Sequence, residues 1–177
     1  MSRALLITVL SCFAVSAWAQ GPPMPPQPGP EHEVLAMDVG EWDAVMKLVP
    51  GPGAPPMETP GVEKNTLLAG RWLIGEFKSE AMGFEGHGVT GYDPAKKAYV
   101  FCWVDSMSTS ISQGESSYDP ATKTMTGWMM GVDPASGATV KMKAVSRYSD
   151  ADHRVFELYP SMDASEPSMS ITYTRKK

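Results

Sequence analysis

Residues 88–107, GVTGYDPAKKAYVFCWVDSM, decide the fold class of this chain. They read as strand, tight turn, strand. Tyr92-Asp93-Pro94 enters the turn and Lys96-Lys97 leaves it. Proline presets φ at the first corner, and a preceding aspartate can accept hydrogen bonds from the backbone amides ahead of it. The second arm, 98–106, is the most apolar strand in the chain beyond its leader.

The same alternation recurs on both sides of this hairpin, interrupted by Gly, Pro, Asp and Asn. It predicts strands over 42–48, 61–68, 71–80, 84–92, 98–106, 110–118, 123–130, 139–148, 154–159 and 168–175. The Pro/Gly-rich segment 50–60 reads as a loop, and 31–37 as one or two turns of helix with acids at its start. Tyr-Asp-Pro-Ala returns at 118–121 and Asp-Pro-Ala at 133–135. These are recurring turns of an up-and-down meander, not a repeat protein. About ten antiparallel strands in an open sheet would leave two long edges, which closure into a barrel removes. The expected fold is therefore all-β: a single antiparallel up-and-down β-barrel with a short N-terminal helix. Its interior would be wide enough for a small ligand.

The ends carry an address. Arg3, the apolar run 4–16 and Ala17-Trp18-Ala19 form a secretory signal peptide over 1–19, with Gln20 the new N-terminus. The run is too short for a membrane span. Residues 9–12 loosely resemble a lipobox, but Leu10 fits poorly. A Pro-rich linker over 20–30 leads to the barrel domain, 31–177. The expected location is periplasmic or secreted. Arg3 is the one charge lost with the signal, so the formal net charge moves from −5 to −6. That balance disfavours nucleic acid and anionic membranes as partners. Cleavage also removes Cys12 and leaves Cys102 alone, so no internal disulfide can form. Cys102, flanked by Phe101 and Trp103, is expected to be buried.

The polar candidates are few. Asp105 shares a strand face with Tyr99, Phe101 and Trp103. It could orient a ligand at the barrel mouth, cap the next turn, or pair with Arg147. Glu76 and Glu157 would be site candidates if they faced inward, and solvent-facing residues otherwise. A catalytic carboxylate pair could be drawn from Glu76, Asp105, Glu115 and Glu157. An inward His87 or His153 could hold haem, and His87 is flanked by two glycines. His32 precedes the barrel. No histidine pair or Cys/His cluster has zinc spacing. Met125, Met129, Met130 and Met142 lie on adjacent expected strands. They suit an adaptable apolar lining better than a soft-metal site such as one for Cu(I). No cofactor is assigned.

Gly40-Glu41-Trp42 opens the first strand and Arg175 closes the last. In a closed barrel these strands are neighbours, so the guanidinium could stack on Trp42 and seal the base. The pairing resembles that of the calycin barrels, the lipocalins and their relatives. A wider resemblance covers 31–176. Its motifs are Pro30-Glu31-His32, Val39-Gly40-Glu41-Trp42, 52–57 (PGAPPM), Gly70-Arg71-Trp72-Leu73, 88–93 (GVTGYD), 103–107 (WVDSM) and 171–176 (ITYTRK). Together they resemble the bacterial domain-of-unknown-function family numbered 1579. The resemblance implies a calycin-like fold and carries over no catalytic residue.

These features point to a secreted calycin-like barrel that binds a small, largely apolar molecule. Trp72, Phe101, Trp103, Met129 and Met142 would line it, and Asp105 or Arg147 would orient the ligand. Glu76 and His87 complete the candidate set. An enzyme using an inward carboxylate and a filled structural or partner-binding barrel are the alternatives. A one-residue slip of register would reverse any strand's inward face.

Overall fold

The computed structural model describes residues 27–49, 55–133 and 136–177. The expected signal peptide, Cys12, most of the linker and parts of the 50–60 loop and the 133–135 turn lie outside them.

A short helix, α1 (Pro30–Ala36), leads into ten strands: β1 (Gly40–Leu48), β2 (Met57–Leu68), β3 (Trp72–Ser79), β4 (Phe84–Asp93), β5 (Ala98–Asp105), β6 (Ser112–Asp119), β7 (Thr124–Val132), β8 (Thr139–Tyr148), β9 (His153–Tyr159) and β10 (Met169–Arg175). Each strand pairs antiparallel with the next, and β10 returns to β1 to close the barrel. A single 3-10 turn, η1 (Glu80–Met82), joins β3 to β4. Closure leaves no edge strand in the sheet, as the strand count requires.

The Asp-Pro-Ala turns work as their chemistry predicts. Asp93 Oδ1 accepts from the amides of Ala95 (2.9 Å) and Lys96 (3.3 Å). Asp119 accepts from the Ala121 amide (2.9 Å) and the Thr122 hydroxyl (2.8 Å). Both turns close on a lysine at positive φ, Lys97 at 53° and Lys123 at 51°. The left-handed region strains a residue with a Cβ.

Element boundaries fall within two residues of the sequence reading except at the start of β2. α1 begins at Pro30, where the missing N–H costs nothing at the first helical position. β2 begins at Met57, inside what reads as loop. Proline and glycine mark strand ends locally, but β1 extends the pairing through Pro60 and Gly61, while the β3 ladder begins at Val62.

The register assigns every strand a face. Trp42, Ala44 and Met46 of β1 stand opposite Arg175, Tyr173 and Ile171 of β10. With Phe77 they form a buried core. α1 plugs the end of the barrel where β1 starts. Leu35 packs there with Leu73 and Tyr99, and the Tyr99 hydroxyl donates to the Glu31 carbonyl (2.9 Å). His32 is a helix cap: its Nδ1 accepts from the Gly29 amide at 3.0 Å.

Candidate functional site

The plugged end is a built electrostatic lock. Arg175 lies 4.0 Å over the Trp42 ring. It donates to the carbonyls of Met37 (2.8 Å), Val39 and Ala151 (2.9 Å). Gly40 makes this possible twice over. Its φ is 124°, and a Cβ there would stand 2.8 Å from an Arg175 nitrogen. The expected Trp42–Arg175 closure is thus observed, with a physical reason for its glycine.

Behind Trp42 lies a second guanidinium, one the sequence reading does not single out. Arg154 is 6% exposed, lies 3.7 Å from the Tyr173 ring centre and 4.9 Å from that of Trp42, and pairs with Asp38 (3.1 Å) and Glu63. Asn65 Nδ2 donates to Glu63 (2.6 Å), and the Tyr148 hydroxyl to Asp38 (3.2 Å). Burial pushes the Asp38 carboxyl above its usual range, with Arg154 opposing. Burial also opposes the Arg154 charge, but Asp38 and Glu63 outweigh it, so the guanidinium holds its proton more firmly than usual. Two acids flank one base here, and both the Tyr148 and Tyr173 phenols are pushed up, mainly by burial. The charged groups of this cluster pair with one another, which suits locking, although Asp38 Oδ1 and Arg154 Nε, 3.1 Å apart, are not aligned to hydrogen-bond. Its one advance signal is that Arg154 shares a face with the apolar Phe156 and Leu158.

The opposite end is different. Phe101, Gly114, Met129 and Met142 stand side by side across β5, β6, β7 and β8 on the inner face. Trp103 is one step nearer the mouth, paired with Gly88 and Ser112. Phe156, Leu158 and Met169 continue the lining around β9 and β10. All seven large side chains point inward yet are only half-buried. Each keeps partial exposure, and Trp103, Phe156 and Met169 also pack against the core around Trp42.

Glycines explain how the rings are seated. A Cβ at Gly86 would overlap the Trp103 ring, and one at Gly88 would lie 3.0 Å from it. A Cβ at Gly114 would overlap the Trp128 carbonyl and meet Phe101 at 2.6 Å. The Trp103 ring therefore lies over β4, and the tip of Phe101 reaches β6. Trp103 is pinned there by its indole N–H, which donates to Asp105 Oδ2 (3.1 Å). Asp105 Oδ1 accepts from the Met107 amide (2.9 Å). Asp105 is thus an inward residue at the mouth that caps the turn after β5.

Four candidates face outward, and each correction follows from pleat alternation. Trp72 packs over Gly91 on the outer wall and is 41% exposed. Glu76 pairs with Lys78, which holds its carboxyl below the usual range. His87 pairs with Glu85 (3.1 Å) outside and cannot serve as an inward haem ligand. Arg147 pairs with Glu157, which also accepts from Tyr159 (3.0 Å), and not with Asp105. The expected carboxylate pair is not assembled, because Glu76, Glu115 and Glu157 are outside and Asp105 inside. Met130 points outward and Met125 joins the core below α1, so only Met129 and Met142 meet in the interior. Cys102, expected to be buried, is exposed on the outer face of β5. His153 pairs with Asp150 at the surface (2.9 Å). Among the described residues no group of three or more His, Cys, Asp or Glu is placed to hold a metal ion.

A closed ten-strand antiparallel barrel, with a short helix and a Trp–Arg stack at one end, is consistent with a calycin-like fold. Residues 27–175 match the family described as "Protein of unknown function (DUF1579)", and the chain belongs to that family. No curated protein matches it.

Proposed function

We propose that this protein is an exported carrier that holds a small, largely apolar molecule in the open half of its barrel. One observation carries the reading: large apolar side chains point inward and are still reached by solvent. Burying them against a ligand would gain roughly 25 cal/mol per Å2 of apolar area. The aromatic rings give flat contact surfaces, and Met129 and Met142 adapt to varied shapes. The leader over 1–19 and the loss of Cys12 with it suit an oxidising compartment.

The test is native mass spectrometry of the processed protein from a secreting host, followed by titration with a neutral apolar dye while Trp fluorescence is read. A retained small-molecule mass, or a saturable change in emission, is expected. Met129→Trp should fill the lumen and weaken dye binding about tenfold, whereas Trp72→Ala on the outer wall should leave it unchanged. A bare mass with no dye binding would sink the carrier reading, as would loss of binding in Trp72→Ala alone.

A further inference from the structure

The mouth of the barrel has a surface that the carrier reading does not use. Val49, Met57, Met107, Ile111, Val132 and Met162 are all exposed, with Ile111 at 66%. Val49, Met107, Ile111 and Met162 lie in three of the five connections at the open end, and Met57 and Val132 sit at the strand ends there. Another connection, η1, turns Met82 inward against the core. The turns at the plugged end are instead short and polar. The described residues of the open-end connections (49, 55–56, 80–83, 106–111, 133, 136–138 and 160–168) carry Glu80, Asp133, Asp163 and Glu166 and no Lys or Arg.

We propose that this rim docks the open end onto a net-neutral phospholipid surface. Three features select that occupant. The apolar tips come from separate loops around a circle, so a flat fluid surface meets them together, while a helix or strand would meet only one or two. The charge of the loops is acidic, which repels an anionic bilayer and leaves apolar insertion as the driving force. The outer wall below the rim carries ion pairs, including Lys64–Glu41, Lys78–Glu76 and Lys96–Glu115, so insertion stops at the rim and the barrel does not span.

After the expected cleavage, the chain's own N-terminus would be too short to reach this surface. Pro28 packs near Gly70 at the plugged end. With the leader removed, residues 20–26 reach at most about 25 Å when extended. The wall they would have to climb is built of strands of up to 12 residues, which is about 30 Å after tilt. Docking mouth-first would let an apolar ligand pass between bilayer and lumen without crossing water. That purpose rests on the carrier reading, but the docking itself is tested separately.

The experiment is co-flotation of the processed protein with vesicles of phosphatidylcholine alone. The wild type should float with them, and adding an anionic phospholipid should lower the bound fraction. The double variant Met107→Asp/Ile111→Asp should partition at least about tenfold less. Leu68→Asp, at an equally exposed apolar site near the plugged end, should behave as wild type. Dye binding without vesicles should survive in the rim variant, which separates failure of docking from failure of the lumen. The proposal is overturned if the wild type does not float, if the rim variant floats equally well, or if binding rises with anionic lipid. It is likewise overturned if gel filtration shows a dimer that the rim substitutions dissolve, since a second copy would then be the occupant.

Discussion

The two ends of this barrel are built from the same alternating strands and reach opposite outcomes. At the plugged end, Trp42, Arg175 and Arg154 stack, carboxylates answer the buried charge, and α1 closes the gap. At the open end, Trp103 lies over Gly86 and Gly88, and the inward aromatic and Met side chains are only half-buried. The difference is not hydrophobicity. It is buried charge: guanidinium and carboxylate groups are enclosed with the rings around Trp42, whereas Trp103 and Phe101 lie beside Gly86, Gly88 and Gly114 with Asp105 as the polar partner of the indole.

Four tests, with six substitutions, would break or sharpen that contrast. Arg154→Met should cost the most, about 3–5 kcal/mol in urea unfolding, because Asp38 and Glu63 would be left buried without their cation. Next, Trp42→Ala should cost about 4 kcal/mol and Trp103→Ala only about 1–2 kcal/mol, since solvent already reaches the latter. Equal losses at the two tryptophans would mean the ends are packed alike and would end the comparison.

The third concerns pH. The folded-state pKa of Asp38 is raised above the ordinary 3.8, so the folded state binds the proton more readily than the unfolded chain. Its stabilising contribution is complete below pH 3.8 and is lost as pH rises through the raised value. The stability of the wild type minus that of Asp38→Asn should therefore decline from acid toward neutral pH in paired denaturation curves. A flat difference would show that Arg154 holds the carboxylate ionised throughout. The smallest effect is at the turns. Lys97→Gly and Lys123→Gly relieve positive φ and should each raise stability by about 0.5–1 kcal/mol, read as a shift in melting temperature.

Much of this was legible in advance because it is local. Aspartate before proline marks two of the hairpins, period-two alternation marks the strands, and Gly40 with Trp42 and Arg175 marks the seam. The faces of β5, and of β7 and β8 at Met129 and Met142, also follow from alternation. Trp72, Glu76, His87 and Arg147 did not, because an aromatic or an acid has no intrinsic side and the choice falls to the partner strand. Trp72 sits outside because Gly91 opposite offers its ring a place, while Leu73 takes the inward position against α1. Cys102 is outside for the same reason: Phe101 and Trp103 fill the inward positions on either side of it.

Composition and pattern by themselves determined an acidic, all-β chain, its strand number and the chemistry of its turns, since each depends on residues a few positions apart. Tertiary structure alone decided the rest: the buried Asp38–Arg154–Glu63 cluster, the half-buried inward side chains of β5 to β9 and the apolar rim. Those features join residues as far apart as Glu63 and Arg154, and only a closed sheet with one fixed register brings them together.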